Sequence, residues 1–171
     1  MSQKLLLCCM LCGLNSLAIQ PVAAQTATTI PSLVGSWEFT LTPNASSTSK
    51  LPISGLATFT NDGSVIETDT SEVIPVQISA GGPVLRSTPG HGIWQPSPVF
   101  GSLFIRFTSL VANPNATLHS KKIVTMTLTL NSTGDQFSGG YSFELVDPTG
   151  HAITTGSGTV AGQLMVHPLL P

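Results

Sequence analysis

The stretch Lys121–Leu145, KKIVTMTLTLNSTGDQFSGGYSFEL, decides the fold. Val124, Met126, Leu128 and Leu130 alternate with Ile123, Thr125, Thr127 and Thr129, and Phe137, Gly139, Tyr141, Phe143 and Leu145 again take every second position. Successive side chains of a strand point to opposite faces, so a period of two marks two half-buried strands. Asn131-Ser132-Thr133-Gly134-Asp135 between them has turn chemistry. The pair therefore reads as an antiparallel hairpin.

The same pattern extends outward in both directions. Ser102–Val111 sets Leu103, Ile105 and Phe107 against Phe104, Arg106, Thr108 and Leu110, and Asn113-Pro114-Asn115 turns the chain. Asp147-Pro148-Thr149-Gly150 is a further turn before a last strand from about His151 to Leu164. Towards the start, Trp37, Phe39 and Leu41 alternate with Glu38, Thr40 and Thr42, and Pro43 ends the strand. Ile53–Thr60 and Ser64–Asp69 flank Asn61-Asp62-Gly63, a hairpin turn because Asp-Gly accepts positive φ. Gly90–Gln95 is a short strand closed by Pro96 and Pro98, and Thr70–Pro89, with only a brief Val76-Gln77-Ile78 extension, is the least regular stretch. No sustained 3.6 period follows Gln25, so little helix is expected.

Eight strands joined mostly by tight turns make a meander, whose two edges would invite aggregation unless the sheet closes. The expected fold is all-β: a single eight-stranded antiparallel up-and-down barrel over 35–165. Glycines at 139, 140, 156, 158 and 162 fit the bends that closure needs. A two-sheet sandwich, with a similar strand pattern, is the alternative.

Ahead of the barrel, Met1–Lys4 carries one cation, Leu5–Ala18 is an apolar run, and Val22-Ala23-Ala24 supplies small residues. This is the pattern of a cleaved signal peptide, 1–24, too short to span a membrane comfortably. A flexible lead-in, 25–34, and a tail, 166–171, flank the barrel. Secreted or periplasmic export is the expectation, with no membrane span after processing. The three cysteines, Cys8, Cys9 and Cys12, all fall in the removed segment, so no disulfide or thiolate site is expected in what remains. Leu7 and Leu11 precede Cys8 and Cys12 where a lipoprotein would need a small residue. In 171 residues there are only 6 Lys and Arg and 8 Asp and Glu, with no basic patch, which argues against nucleic acid as a partner. The oligomeric state is not legible.

Leu33-Val34-Gly35-Ser36-Trp37 resembles the Gly-x-Trp opening of the lipocalin-like (calycin) barrels, where the Trp plugs one end. Phe59–Gly63, Gly90-His91-Gly92-Ile93-Trp94, Asp147–Gly150 and Thr155–Thr159 extend the likeness over most of the chain after Ala24. In these segments the chain resembles small secreted bacterial proteins with such barrels and no assigned activity. The resemblance implies a lipocalin-like barrel. If the host is bacterial, the sequons at Asn44, Asn115 and Asn131 are silent.

Candidate ligand-binding residues are His91, Trp94, Phe100 and Arg106. His91 lies between two glycines that allow close approach, beside Trp94 and after the longest loop. A His hydrogen-bonded in a turn is the competing reading. Trp94 and Phe100 offer flat apolar surface for a rim. Arg106 lines a cavity if the Phe104 face points inward, and is solvated if the more apolar Leu103-Ile105-Phe107 face does. Glu67 and Asp69 share one strand face and are expected to be solvated. His91, His119, His151 and His167 lack ligand spacing, so neither metal nor cofactor is expected.

The expected function is a non-enzymatic binding protein for a small apolar or amphipathic ligand in the barrel or at its mouth. Small residues such as Gly156 and Gly158 would leave room for it. A small barrel enzyme of isomerase or cyclase type, using His91 with Arg106, and a structural envelope protein are the alternatives.

Overall fold

The computed structural model of the protein describes residues 32–45, 52–74, 76–77, 82, 84–99 and 101–165. The expected signal peptide, the tail, Phe100 and Ile78 lie outside those residues. Ten strands form among the described residues. They are β1 Gly35–Pro43, β2 Ile53–Phe59, β3 Ser64–Asp69, β4 Val76–Gln77, β5 Val84–Ser87, β6 Gly90–Pro96, β7 Ser102–Ala112, β8 Leu118–Leu130, β9 Gln136–Val146 and β10 Ala152–Leu164. One 3-10 turn, Thr70–Glu72, follows β3.

Eight of these strands close into a barrel in the order β1-β2-β3-β6-β7-β8-β9-β10, every pairing antiparallel. Closure is made by β1 and β10, in register from Trp37↔Leu164 to Pro43↔Gly158. The barrel expectation holds, and the sandwich alternative falls, because the first and last strands complete each other's ladder. The stretch between β3 and β6 is more regular than its sequence reads. There β4 pairs with β5, and β5 pairs with the end of β7 at Ser87↔Val111. Three residues, Thr88 to Gly90, then oppose two on β7 before His91↔Thr108, a bulge at which Thr88 N–H donates to Leu110 O at 2.8 Å. Pro89, which has no donor, sits in that break.

The inner face is the apolar half of each alternation. Trp37, Phe39, Phe59, Ile105, Met126 and Phe137 belong to one continuous buried core. Each buried aromatic ring removes about 150–250 Å² from water, worth about 4–6 kcal/mol at about 25 cal/mol per Å². Trp37 plugs one end: it is 1 % exposed, its Nε1 donates to Leu33 O at 2.8 Å, and its ring lies 5.1 Å from that of Phe137.

The glycines of the inner face do not leave empty space. Gly55, Gly156, Gly158 and Gly162 are each paired across the ladder with an aromatic residue, Phe39, Phe143, Tyr141 and Phe137. In each case the partner's ring occupies the position a Cβ would need, at 2.2–2.8 Å. The room expected for a ligand at Gly156 and Gly158 is taken by the protein's own rings. No helix of the described residues is long and apolar enough to cross a membrane.

Candidate functional site

The register of the β2–β3 hairpin dictates the interior of the barrel end opposite Trp37. Phe59 pairs with Val65, Ala57 with Glu67 and Gly55 with Asp69. Phe59 and Ala57 face the core, so their partners must as well. Glu67 and Asp69 are therefore buried, at 2 % and 7 % exposure, and the expectation of a solvated carboxylate face is overturned. A cross-strand pair shares a face whatever its polarity.

The two carboxyl groups have different surroundings. Asp69 accepts from Lys122 Nζ of β8 at 2.8 Å, and from Ser71 N–H at 2.7 Å and the Ser71 hydroxyl. Lys122 also donates to Ser71 Oγ at 3.2 Å. Asp69 thereby caps the 3-10 turn, while Glu72 Oε1 accepts from its N–H at 3.2 Å. Burial acts to raise the Asp69 pKa, but the Lys122 charge and these hydrogen bonds outweigh it and hold the carboxyl below its ordinary value. Glu67 has no such counter-ion. Burial first, then the neighbouring Asp69 charge, push it up to about 8 against the opposing pull of Lys122.

Glu67 also has an unmet oxygen. Among the described residues its Oε1 has no hydrogen-bond partner, and neither does the hydroxyl of Ser109 on β7, which is 1 % exposed. The two side chains meet around Gly90, the cross-strand partner of Glu67. A Cβ on Gly90 would stand 2.6 Å from Glu67 Oε2 and 3.0 Å from Ser109 Oγ. The absent side chain of Gly90 is what admits the carboxyl. Over this end lies a second apolar cluster of Leu85, Val111 and Leu145, with Phe143 against it. Val73, Ile74, Val84, Leu110, Leu118 and Ile153 are exposed at the strand ends and connections on the same side.

The residues singled out in the sequence lie elsewhere. His91 is exposed on the outer face of β6, opposite Ile66 and Thr108, and Arg106 is exposed on the outer face of β7, opposite Ile93 and Thr125. Trp94 faces inward, half-buried, edge-on to Phe59 at 6.4 Å, with Nε1 donating to Thr60 O at 2.9 Å. That places it at the Trp37 end, about 13 Å along the strand from Gly90 at about 3.3 Å per residue. Asp69 and Gly90, which bound the stretch 70–89, therefore lie towards the opposite end from Trp94. Phe100 lies outside the described residues. His91, Trp94 and Arg106 do not converge on one interior.

Two grooves lie along the outer wall. One of about 650 Å³ runs past Glu38, Thr129 and Gln163; the other, of about 670 Å³, past Arg106, Thr125, Ser142 and Glu144. No group of three or more metal-ligating side chains occurs among the described residues. Comparison of the chain with protein-family models, curated proteins and solved structures found no match.

The sequence did carry a signal for Glu67. Val65, Glu67 and Asp69 share a period-two face, and the Asn61-Asp62-Gly63 turn ties Val65 to the core residue Phe59. Continuing that face two and four residues onward leads to both carboxyls.

Proposed function

We propose that the protein is an exported, non-enzymatic binding module of calycin-like kinship that receives a small amphipathic molecule at the barrel end containing Glu67. One observation carries the reading: two side-chain oxygens, Glu67 Oε1 and Ser109 Oγ, are buried there without partners among the described residues. Buried polar groups are nearly always hydrogen-bonded, so such a pair invites a bound polar group. The exposed apolar residues around the same end give the rest of an amphipathic molecule a surface to cover. Kinship is supported by Gly35-x-Trp37 at the head of β1 with Trp37 closing the barrel end. Export is supported by the Met1–Ala24 pattern, and N-terminal sequencing of secreted protein is expected to begin at Gln25.

The test is calorimetric titration with retinoids, fatty acids, fatty alcohols and fatty amines on the full chain as exported. Saturable binding of at least one class, weakened by Ser109→Val, is expected. Flat titrations across all classes would defeat the reading. A second reading, a small barrel enzyme, gains support from one observation: neighbouring carboxyls with pKa values driven apart are the arrangement acid–base catalysis uses. It now rests on Glu67 rather than on His91 with Arg106. Recovery of a chemically altered ligand, lost in Glu67→Gln, would establish it.

A further inference from the structure

Independently of the Glu67 end, we propose that the outer-wall groove of about 670 Å³ is a second binding site, which receives a dipeptide with both termini free. Four neighbouring strands build it. Arg106 of β7 pairs with Thr125 of β8, Thr125 pairs with Ser142 of β9, and two residues along β9 Glu144 pairs with Ile123. From β10, Thr155 stands opposite Glu144 and Ser157 opposite Ser142. These residues share the outer face and line the groove. Short hydroxyl side chains therefore lie between one long cationic and one anionic side chain.

Neither charge has an ion-pair partner among the described residues. Arg106 stands between Ile93 and Thr125 in its two ladders, with no carboxylate opposite. Lys121 is diagonal to Glu144 across the β8–β9 ladder but forms no ion pair with it. A cation and an anion held apart over a polar groove match a molecule carrying both charges in the reverse order. Spacing selects its length. Two strands at about 4.8 Å and two residues at about 3.3 Å put the Cα atoms of Arg106 and Glu144 about 12 Å apart. Outward side chains stand roughly perpendicular to the sheet, so the charged heads keep a similar separation. An ionic hydrogen bond takes about 2.8 Å at each end, which leaves about 6 Å between the charged atoms of the ligand. A single amino acid carries both groups on one carbon and is too short. Two extended residues span at most about 7 Å, and a third overshoots. The central amide of a dipeptide then lies over Thr125 and Ser142, whose hydroxyls donate or accept. Ile123 offers apolar surface to one of its side chains.

The test is an amide chemical-shift titration of the full exported chain at neutral pH with alanylalanine, its N-acetyl form, its C-terminal amide and alanine. Alanylalanine is expected to bind saturably in the millimolar range, with shifts centred on the β8 and β9 residues of the groove. Blocking either terminus, or shortening to alanine, should weaken binding about two- to fivefold, the range that exposed ion pairs support. Arg106→Ala should abolish the preference for the free carboxylate, so that the acid and its amide bind alike. Glu144→Gln should do the same for the free amine. Both side chains lie on the outer wall, and the amide spectrum of each variant reports whether the barrel is intact. A merely structural role for either residue would leave these preferences unchanged. No saturable shift at the groove residues overturns the proposal. Blocked peptides or alanine binding as well as alanylalanine also overturns it, as does a preference for free termini that survives both substitutions.

Discussion

Glu67 is the residue whose chemistry departs furthest from its surroundings. Its carboxyl, ordinarily near 4.5, is pushed up to about 8 in the folded chain, chiefly by burial. Below pH 4.5 it is protonated folded or unfolded, and stability does not depend on it. Between about 4.5 and 8 the unfolded chain releases the proton while the barrel keeps it, so stability falls by about 1.4 kcal/mol per pH unit. Above 8 both states are ionised and the loss is complete. Asp69 acts the other way: its depressed pKa lends stability that is present at neutral pH and lost as acid protonates it. Urea denaturation is therefore expected to show a more stable protein at pH 5 than at pH 8.5, and Glu67→Gln should remove most of that difference. A wild-type stability that rises from pH 5 to 8.5 would mean Glu67 is solvated. Gly90 is the matching steric control. Its Cβ would stand 2.6 Å from both Glu67 Oε2 and Phe107 Cδ2, so Gly90→Ala should destabilise the barrel by about 1–3 kcal/mol, the usual range for overpacking.

At the scale of elements, the hairpin turns share one device. Asp62, Asp135 and Asp147 each accept from a threonine hydroxyl two residues away, and these bonds hold all three carboxyls below their ordinary pKa. Gly63, Gly134 and Gly150 supply the positive φ that closes each turn. The β7–β8 turn lacks this provision. Ala116 stands there at φ 62, in the left-handed region, where a Cβ carries strain of about 1 kcal/mol. Ala116→Gly or Ala116→Asn should raise stability by roughly that amount, read as a shift in the denaturation midpoint. The strands were legible because alternation and turn chemistry are local. The β4–β5 hairpin was not, because two short runs in a proline- and glycine-rich stretch pair with each other and only β5 is anchored, through its ladder with β7.

For the whole molecule, closure makes the interior a common core to which each strand contributes. Trp37 belongs to that core and caps one end, so Trp37→Ala should destabilise the fold by about 3–5 kcal/mol in denaturant titration. His91 and Arg106 stand outside it. The double substitution His91→Ala/Arg106→Ala should shift stability by no more than about 0.5 kcal/mol for each exposed side chain. A large loss would show that the outer wall bears on the fold more than their exposure implies.

By itself the sequence determined an all-β chain of eight main strands and most of their inner faces. Period two and turn residues act between neighbours, so the shared face of Trp37, Phe39 and Leu41 could be placed inward without knowing what it touches, whereas the inward face of β7 stayed open between Ile105 and Arg106. Tertiary structure alone decided three matters: that β1 meets β10, that rings from neighbouring strands fill the space over the glycines, and that two acidic residues lie inside. Each depends on which strand lies beside which, through ladders that join residues far apart in the chain. The Asp69–Lys122 ion pair spans 53 positions, and no local pattern marks the lysine that keeps a buried carboxylate charged.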